Sequence, residues 1–196
     1  MAGERDMTKT KIGVMGSAED AATPIVAELA RRLGEAIASR DVILLTGATT
    51  GVIHLVGKTA REAGAFHIGI SPGEKEHEHV ETFQLPTDAC DAIVYTGFGL
   101  KGRNVVLVRS CDIVIFIAGS VGSLNEFTIA YDEGKTIGCL TGSGGVADEV
   151  KRIAAAFQKK TESQIFYEAD PARLIETCMA ANAELRARKV PINTRG

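Results

Sequence analysis

The chain has 196 residues, of which 45% are hydrophobic and 24% charged, and its formal net charge is -3. These values are typical of one soluble globular domain with a substantial core. Without a basic surplus, a nucleic-acid or membrane-surface partner is not expected, and no apolar run approaches the roughly 20 residues of a membrane-spanning helix. The cysteines are scattered without a C-x-x-C pair, and the first residues lack the apolar core of a signal peptide. We therefore expect a cytoplasmic protein with reduced cysteines.

Strand patterns and helix patterns alternate along the chain. In chain order they predict a strand at Lys11–Gly16, a helix at Ala22–Ser39, a strand at Val42–Leu45, a helix at Gly51–Ala63, strands at Phe66–Ile70 and Ala92–Tyr95, a short helix at Asn104–Arg109, a strand at Asp112–Ala118, a helix at Leu124–Asp132, a strand at Thr136–Leu140, a helix at Val146–Phe157, a short strand at Gln164–Tyr167 and a helix at Pro171–Arg188. Ser71–Pro86 is the one long irregular connection, and it is either a mobile flap over a site or a solvated loop.

The runs Val42–Leu45 and Ile113–Ile117 are apolar throughout, which is typical of strands that are covered on both faces. Repeated strand–helix units with right-handed crossovers predict an α/β fold, a Rossmann-like, doubly wound, mostly parallel sheet of about seven strands with helices on both faces. We expect one domain over residues 1–196, with flexible tails at 1–9 and 189–196. In such sheets, ligands bind beyond the carboxyl ends of the strands.

Small residues cluster at those strand ends. They are Gly16 and Ser17 after the first strand, Gly47, Ala48, Thr49, Thr50 and Gly51 after the second, and Gly119, Ser120, Val121, Gly122 and Ser123 after the fifth. Glycines let backbone N–H groups approach an anion, and each helix N-terminus adds about half a positive charge. Two such loops converging on one crevice predict a phosphate site that suits a nucleotide monophosphate. The alternative is that the glycines only permit tight strand-to-helix turns.

Other nucleotide-binding and metal-binding patterns are weaker. Residues 16–20 do not form G-x-G-x-x-G, and the second strand ends without an acidic residue for a ribose, which weighs against a dinucleotide oxidoreductase. A phosphate-loop G-x-x-x-x-G-K-[ST] motif is absent as well. His77 and His79 flank Glu78, but two imidazoles at this spacing meet one ion only on an extended strand, so a solvated polar loop is favoured. We expect no metal site and no required cofactor.

The stretch Ala118–Glu126 resembles the P-G-G-x-G-T-x-x-E signature of the LOG ("lonely guy") proteins. Their superfamily, SLOG, includes the molybdenum-cofactor carrier proteins and chains once labelled lysine decarboxylases. Arg103 and Asn104 match in part the Arg-Lys pair upstream of the signature, at the separation from Glu126 that the signature requires. Gly47–Ile53 is similar to the glycine-rich loop G-G-x-x-G-[LV]-M of the same family.

This resemblance implies a small phosphorylated ligand and a homo-oligomer, either a dimer or a tetramer. The family's hydrolases split the N-glycosidic bond of adenine-type nucleoside 5′-monophosphates. By resemblance, Arg103 and Glu126 would be the catalytic pair. Glu126 would stabilise positive charge on the ribose, and Arg103 would hold the phosphate or the ribose. The alternative, in which these residues have no functional role, is that Glu126 is a solvated carboxylate of a first helical turn and Arg103 is part of a surface ion pair.

The departures from the signature are Ala118 for Pro, Ser120 for Gly, Ser123 for Thr and Asn104 for Lys. They are closer to the molybdenum-cofactor carrier branch, whose members bind a pterin that bears a phosphate. Two functions stay open. The first is a nucleoside 5′-monophosphate phosphoribohydrolase that acts through Arg103 and Glu126. The second is a non-catalytic carrier or sensor of the molybdenum cofactor or of another pterin or nucleotide phosphate.

Overall fold

The computed structural model describes residues 8–18, 23–159 and 161–189. Its strands are β1 (Thr10–Gly16), β2 (Val42–Thr46), β3 (Phe66–Ser71), β4 (Ala92–Tyr95), β5 (Ile113–Ile117), β6 (Thr136–Leu140) and β7 (Gln164–Glu168). Its α-helices are α1 (Pro24–Ala38), α2 (Gly51–Glu62), α3 (Gly99–Ser110), α4 (Val121–Asp132), α5 (Gly145–Ala155) and α6 (Pro171–Lys189). The predicted tails 1–9 and 189–196 lie outside the described residues, apart from Thr8, Lys9 and Lys189.

All seven strands form one parallel sheet in the order β4-β3-β2-β1-β5-β6-β7. The chain moves outward from β1 to β4, returns to β5 beside β1, and then moves outward again to β7. The predicted doubly wound α/β fold is therefore confirmed. The point between β1 and β5, where the direction reverses, is where such folds bind ligands.

Two apolar layers cover the sheet. The layer with α1, α2 and α6 packs on one face, and the layer with α3, α4 and α5 packs on the other. Ile113–Ile117 is buried along its whole length between these layers, which explains why this strand does not alternate with polar residues. Each large side chain buried in this way stabilises the fold by about 1.5 to 3 kcal/mol.

Several predicted elements differ from those in the structure. Helix α3 begins at Gly99, well before Asn104, because the Gly99 N–H donates to Pro72 O at 3.0 Å and fixes the start of the helix. Helix α1 begins at Pro24, where Thr23 Oγ1 accepts a hydrogen bond from the Val26 N–H. The connection 71–86 is not irregular throughout, since it contains a π-helix, Glu78–Thr82.

Over the described ranges, we find no helix with the length and apolar character needed to cross a membrane.

Candidate functional site

A cleft of about 180 Å³ lies at the carboxyl ends of β1, β2 and β5. The predicted site residues that line it are Gly16, Gly47, Thr49, Arg103, Ser120, Gly122, Ser123 and Glu126. The remaining predicted residues belong to the same loops but stand outside the lining; they are Ser17, Ala48, Thr50, Gly51, Gly119 and Val121. The loops after β2 and β5 thus border one cleft. A larger groove of about 690 Å³, between the end of α4 and the segment after α5, contains none of these residues.

Arg103 and Glu126 form a buried ion pair at the base of the cleft. Their residues are only 5% and 7% exposed, and Arg103 Nη1 lies 3.5 Å from Glu126 Oε1. The expected alternatives, a surface ion pair for Arg103 and a solvated carboxylate for Glu126, are therefore wrong. Arg103 Nε is buried without a hydrogen-bond partner among the described residues. A buried donor left without a partner is costly, so this atom is a polar position that the described residues leave unsatisfied.

Asn104 completes the surroundings of the carboxylate. With its amide oriented by its hydrogen bonds, Asn104 Nδ2 donates to Glu126 Oε1 at 3.1 Å and to Leu100 O at 3.0 Å. The residue that departs from the Arg-Lys pattern of the family therefore contacts the carboxylate as a neutral donor. It adds no second positive charge beside Arg103.

The protonation of Glu126 is balanced near neutral pH. Burial raises the pKa of Glu126 to about 7, although the positive charge of Arg103 opposes this shift. Burial also lowers the pKa of Arg103, and Glu126 opposes that change. A guanidinium nevertheless remains charged in a protein. Arg103 is thus a permanent cation beside a carboxyl group that exchanges its proton near pH 7.

The loop after β2 is shaped by close contacts. A Cβ atom at Gly47 would lie 2.2 Å from Arg103 Nη1, so only glycine lets the guanidinium lie against this loop. Ala48 has a φ of 49°, and its N–H donates to Thr46 Oγ1 at 3.2 Å. Thr50 Oγ1 donates to Ala18 O at 2.6 Å, which ties the loops after β1 and β2 together.

The loop after β5 leads directly into α4. Gly119 has a φ of 98°, and Ser123 Oγ donates to Gly16 O at 3.1 Å, which joins this loop to the end of β1. Ser120 precedes α4 without forming a side-chain cap, and no atom of the described residues lies within 4 Å of the place where a Cβ atom at Gly122 would stand. The first N–H groups of α4 are therefore not covered by the capping side chain, and the positive end of the helix faces the cleft at Gly122.

Lys101 lines the same cleft, although the sequence did not predict it as a site residue. It lies in the first turn of α3, and its side chain is exposed. The predicted helix began at Asn104 and so left Lys101 outside. A helix beginning at Gly99 would have placed Leu100, Lys101 and Asn104 on neighbouring positions of one face. Among the described lining residues, Lys101 and Arg103 outnumber the one acidic residue, Glu126.

The two histidines of the 71–86 connection have different surroundings, because His77 is exposed and His79 is buried. His79 is fully buried, so its assignment to a solvated loop was wrong. Across residues 8–18, 23–159 and 161–189, no group of three or more His, Cys, Asp and Glu side chains is arranged to hold a metal ion.

The fold and the cleft define a class: a doubly wound α/β protein whose glycine-rich strand-end loops meet at the switch point of the sheet. Within this class, the model of the SLOG cluster4 family matches residues 9–175, and the chain belongs to this family. The predicted membership of the SLOG superfamily, which includes the molybdenum-cofactor carrier proteins, is confirmed.

Individual relatives agree with this assignment. An uncharacterized protein of Archaeoglobus fulgidus is 33% identical over 135 residues, which are 68% of this chain and 82% of that protein. The molybdenum cofactor binding protein from Rippkaea orientalis has 29% identity and a TM-score of 0.72 over 89% of this chain and 98% of its own. The molybdenum cofactor carrier protein from Chlamydomonas reinhardtii has 29% identity and a TM-score of 0.68 over 91% of this chain and 99% of its own.

Proposed function

We propose that this protein binds a small phosphorylated ligand in the cleft between the loops after β2 and β5, and that it acts as a carrier or sensor of that ligand. The ligand class is a pterin phosphate such as the molybdenum cofactor, or a nucleotide monophosphate. One observation carries the proposal: a single cleft at the switch point joins the α4 N-terminus to Lys101 and Arg103, two positive charges against one acidic residue in the described lining. Both features favour an anion.

The size of the cleft indicates which part of the ligand it would enclose. Ligand pockets usually measure about 300–1,000 Å³. The cleft measures about 180 Å³, so it would enclose the phosphate and the group next to it. The ring system would extend outward over Leu100, which is 50% exposed at the rim. An exposed apolar side chain beside a polar cleft suits a flat heterocycle.

The relatives support the pterin as the first ligand to test. Two solved structures that resemble this chain over most of its length are named for binding or carrying the molybdenum cofactor. Asn104 agrees with a binding role, because a neutral amide holds Glu126 without the second cation of the hydrolase signature.

The decisive measurement is ligand binding by isothermal titration calorimetry and by thermal unfolding, since a ligand of the native state raises the Tm. The probes are inorganic phosphate, adenosine monophosphate and molybdopterin. Lys101→Ala should weaken the binding of each phosphate probe by roughly tenfold, because it removes a positive charge at the cleft. Lys101→Arg should retain most of the affinity, and Lys151→Ala on α5 is a control outside the cleft. If no probe raises the Tm, the proposal is wrong.

Hydrolysis is a second candidate because Arg103 and Glu126, the catalytic pair of the family signature, lie together in the cleft. In that reaction a water oxygen bonds to the anomeric carbon while the C–N bond breaks. The base leaves with the electron pair and takes up a proton. Ionised Glu126 would stabilise the positive ribose, so the rate should rise as the pH rises through about 7.

One assay distinguishes the hydrolase from the carrier or sensor. Incubation with adenosine monophosphate should release adenine if the protein is a phosphoribohydrolase, and Glu126→Gln should abolish the release. If adenosine monophosphate raises the Tm while no adenine appears, the protein is a carrier or sensor and not this hydrolase.

A further inference from the structure

Beneath the loop after β2, a buried histidine is part of a chain of three hydrogen bonds. His67 Nδ1 lies 2.5 Å from Ala89 O, and because a carbonyl only accepts, Nδ1 carries the proton. His67 Nε2 then accepts from the hydroxyl of Thr46 at 2.8 Å. Thr46 Oγ1 in turn accepts from the N–H of Ala48 at 3.2 Å. Thr46 is the last residue of β2, and both Thr46 and His67 are 1% exposed.

The next strand carries the same arrangement with the ring reversed. His79 Nε2 donates to Pro86 O at 3.1 Å, so His79 Nδ1 accepts from the hydroxyl of Ser71 at 2.8 Å. Ser71 Oγ accepts from the N–H of Gly73 at 3.0 Å. Ser71 is the last residue of β3, and Ser71 and His79 are fully buried.

In both chains, a strand-end hydroxyl donates to a neutral imidazole and accepts from the N–H two residues later. In both, the second ring nitrogen donates to a carbonyl of the segment before β4. We call them the His67 relay (Thr46, Ala48, His67, Ala89) and the His79 relay (Ser71, Gly73, His79, Pro86). A neutral imidazole can accept the hydroxyl proton at its second nitrogen and a charged one cannot, so this direction of the hydroxyl bond assigns a neutral ring to each relay.

Each relay supports a different wall of the cleft. The His67 relay holds Ala48 at a φ of 49°, next to Gly47, which contacts Arg103. Beyond the His79 relay, Gly73 O accepts from the Gly97 N–H at 2.9 Å and Pro72 O accepts from the Gly99 N–H at 3.0 Å. Gly99 begins α3, the helix that brings Lys101, Arg103 and Asn104 to the cleft.

We propose that His67 and His79 are positioning residues. As neutral rings of opposite tautomer, they hold the turns after β2 and β3, and these two turns shape the cleft for its anion. The anion that binds in this cleft rests on the proposed function, whereas the two relays do not depend on it. Its structural part makes a prediction that needs no ligand. In the free protein at pH 7, His67 is protonated at Nδ1 and His79 at Nε2.

Imidazole nitrogen chemical shifts of the labelled protein test this directly, because a protonated and an unprotonated ring nitrogen have separate signals. The chain has four histidines, so His54→Gln and His77→Gln variants assign the signals. The expected result is two neutral rings with opposite tautomers. The same tautomer on both rings, or a positive charge on either ring at pH 7, would overturn the proposal.

The positioning role is tested at Thr46 with a matched pair of variants. Thr46→Val keeps the shape but removes the hydroxyl, so hydrogen exchange of the Ala48 N–H should accelerate and inorganic phosphate should bind roughly tenfold more weakly. Thr46→Ser keeps the hydroxyl and should rescue both. Ser71→Ala and Ser71→Thr repeat the comparison for the Gly73 N–H in case Thr46→Val does not fold.

The outcomes separate the two proposals. Folded hydroxyl-deletion variants with wild-type exchange and wild-type phosphate affinity would overturn the positioning role. A wild-type protein that binds no phosphate probe would instead contradict the proposed function, and the nitrogen shifts and amide exchange would then decide the relays alone.

Discussion

Among the described residues that line the cleft, Glu126 is the group whose pKa lies near neutral pH. Its carboxyl group is buried, Arg103 lies 3.5 Å away, and burial raises the pKa of Glu126 to about 7. A lysine at position 104 would place a second cation beside this group and favour its ionised form. Asn104 supplies a neutral donor instead. The substitution therefore lets Glu126 keep its proton at a higher pH.

This property predicts that phosphate affinity falls as the pH rises above 7. A phosphate monoester has its second pKa at about 6, so its charge changes little between pH 7 and 8.5. Glu126 loses its proton over that range and repels the bound phosphate. The affinity for adenosine monophosphate should fall by roughly tenfold between pH 7 and 8.5. Calorimetric titrations at pH 6.5, 7, 7.75 and 8.5 measure this change.

The matched variant is Glu126→Gln, which fills the same volume without a titrating group. Its affinity should be nearly independent of pH over the same interval. An equal fall in both proteins would assign the pH dependence to another group, and a rise in the wild type would contradict the prediction.

At the scale of elements, helix α4 is the part of the site most open to a direct test. A Cβ atom at Gly122, in its first turn, would meet no atom of the described residues within 4 Å. Gly122→Ala should therefore leave the free energy of unfolding unchanged or raise it by about 0.4–1 kcal/mol. A phosphate that approaches the N–H groups of this turn would contact the new methyl group. Its affinity should fall by roughly tenfold or more.

Urea unfolding and calorimetry on the same variant separate these effects. Gly47→Ala is the contrasting case, because its Cβ atom would lie 2.2 Å from Arg103 Nη1 and should lower both stability and affinity. If Gly122→Ala binds phosphate as the wild type does, the α4 N-terminus is not the phosphate site.

Some elements can be predicted from their own residues, and others cannot. The apolar runs and glycine-rich loops are local patterns, and they predicted every strand and the loops that border the cleft. The start of α3 is not local. Phe98 forms no side-chain cap, and the helix begins where Pro72 O accepts the Gly99 N–H. Because that carbonyl comes from a distant turn, the sequence left Lys101 outside the predicted site.

The connection 71–86 shows the same limit. Its charged composition predicted a flap or a solvated loop, yet His79 within it is fully buried. Ser71 and Pro86 satisfy both nitrogens of its ring, so the imidazole can be buried without an unpaired polar atom. Amino-acid composition shows how polar a segment is, but it does not show which hydrogen-bond partners a polar ring will have in the fold.

At the scale of the whole molecule, the sheet order explains the site. β1 lies between β2 and β5, so the loops after these three strands meet although they are far apart in sequence. The sequence predicted each loop and the class of fold. Which strands are neighbours depends on the reversal of strand order between β1 and β5. This order brings Arg103 and Glu126 to the same edge of the sheet.

The whole molecule should also show two opposite contributions to its stability as the pH changes. Burial lowers the pKa of His67, outweighing the hydrogen bond to Ala89 O and the attraction of Asp91, while Arg61 and His54 lower it further. The unfolded chain therefore takes up this proton first, and this contribution is lost as the pH falls below about 6.5. For Glu126 the folded pKa of about 7 lies above the ordinary 4.5. The folded state then holds the extra proton, and this contribution is lost as the pH rises through 7.

Glu126→Gln should remove the second contribution and leave the first. The free energy of unfolding of the wild type, relative to this variant, should increase as the pH falls from 8 to 5, by on the order of 2 to 3 kcal/mol. Glu126→Gln itself should become less stable as the pH falls through the acidic part of this range. The destabilising protonation of His67 is then no longer offset by the contribution of Glu126. Urea unfolding at fixed ionic strength and pH 5, 6, 7 and 8 measures both curves.

Glu176→Gln, at an exposed position of α6, is the control and should keep the wild-type pH dependence. A constant difference between wild type and Glu126→Gln at all four pH values would show that Glu126 does not hold a proton in the folded cleft.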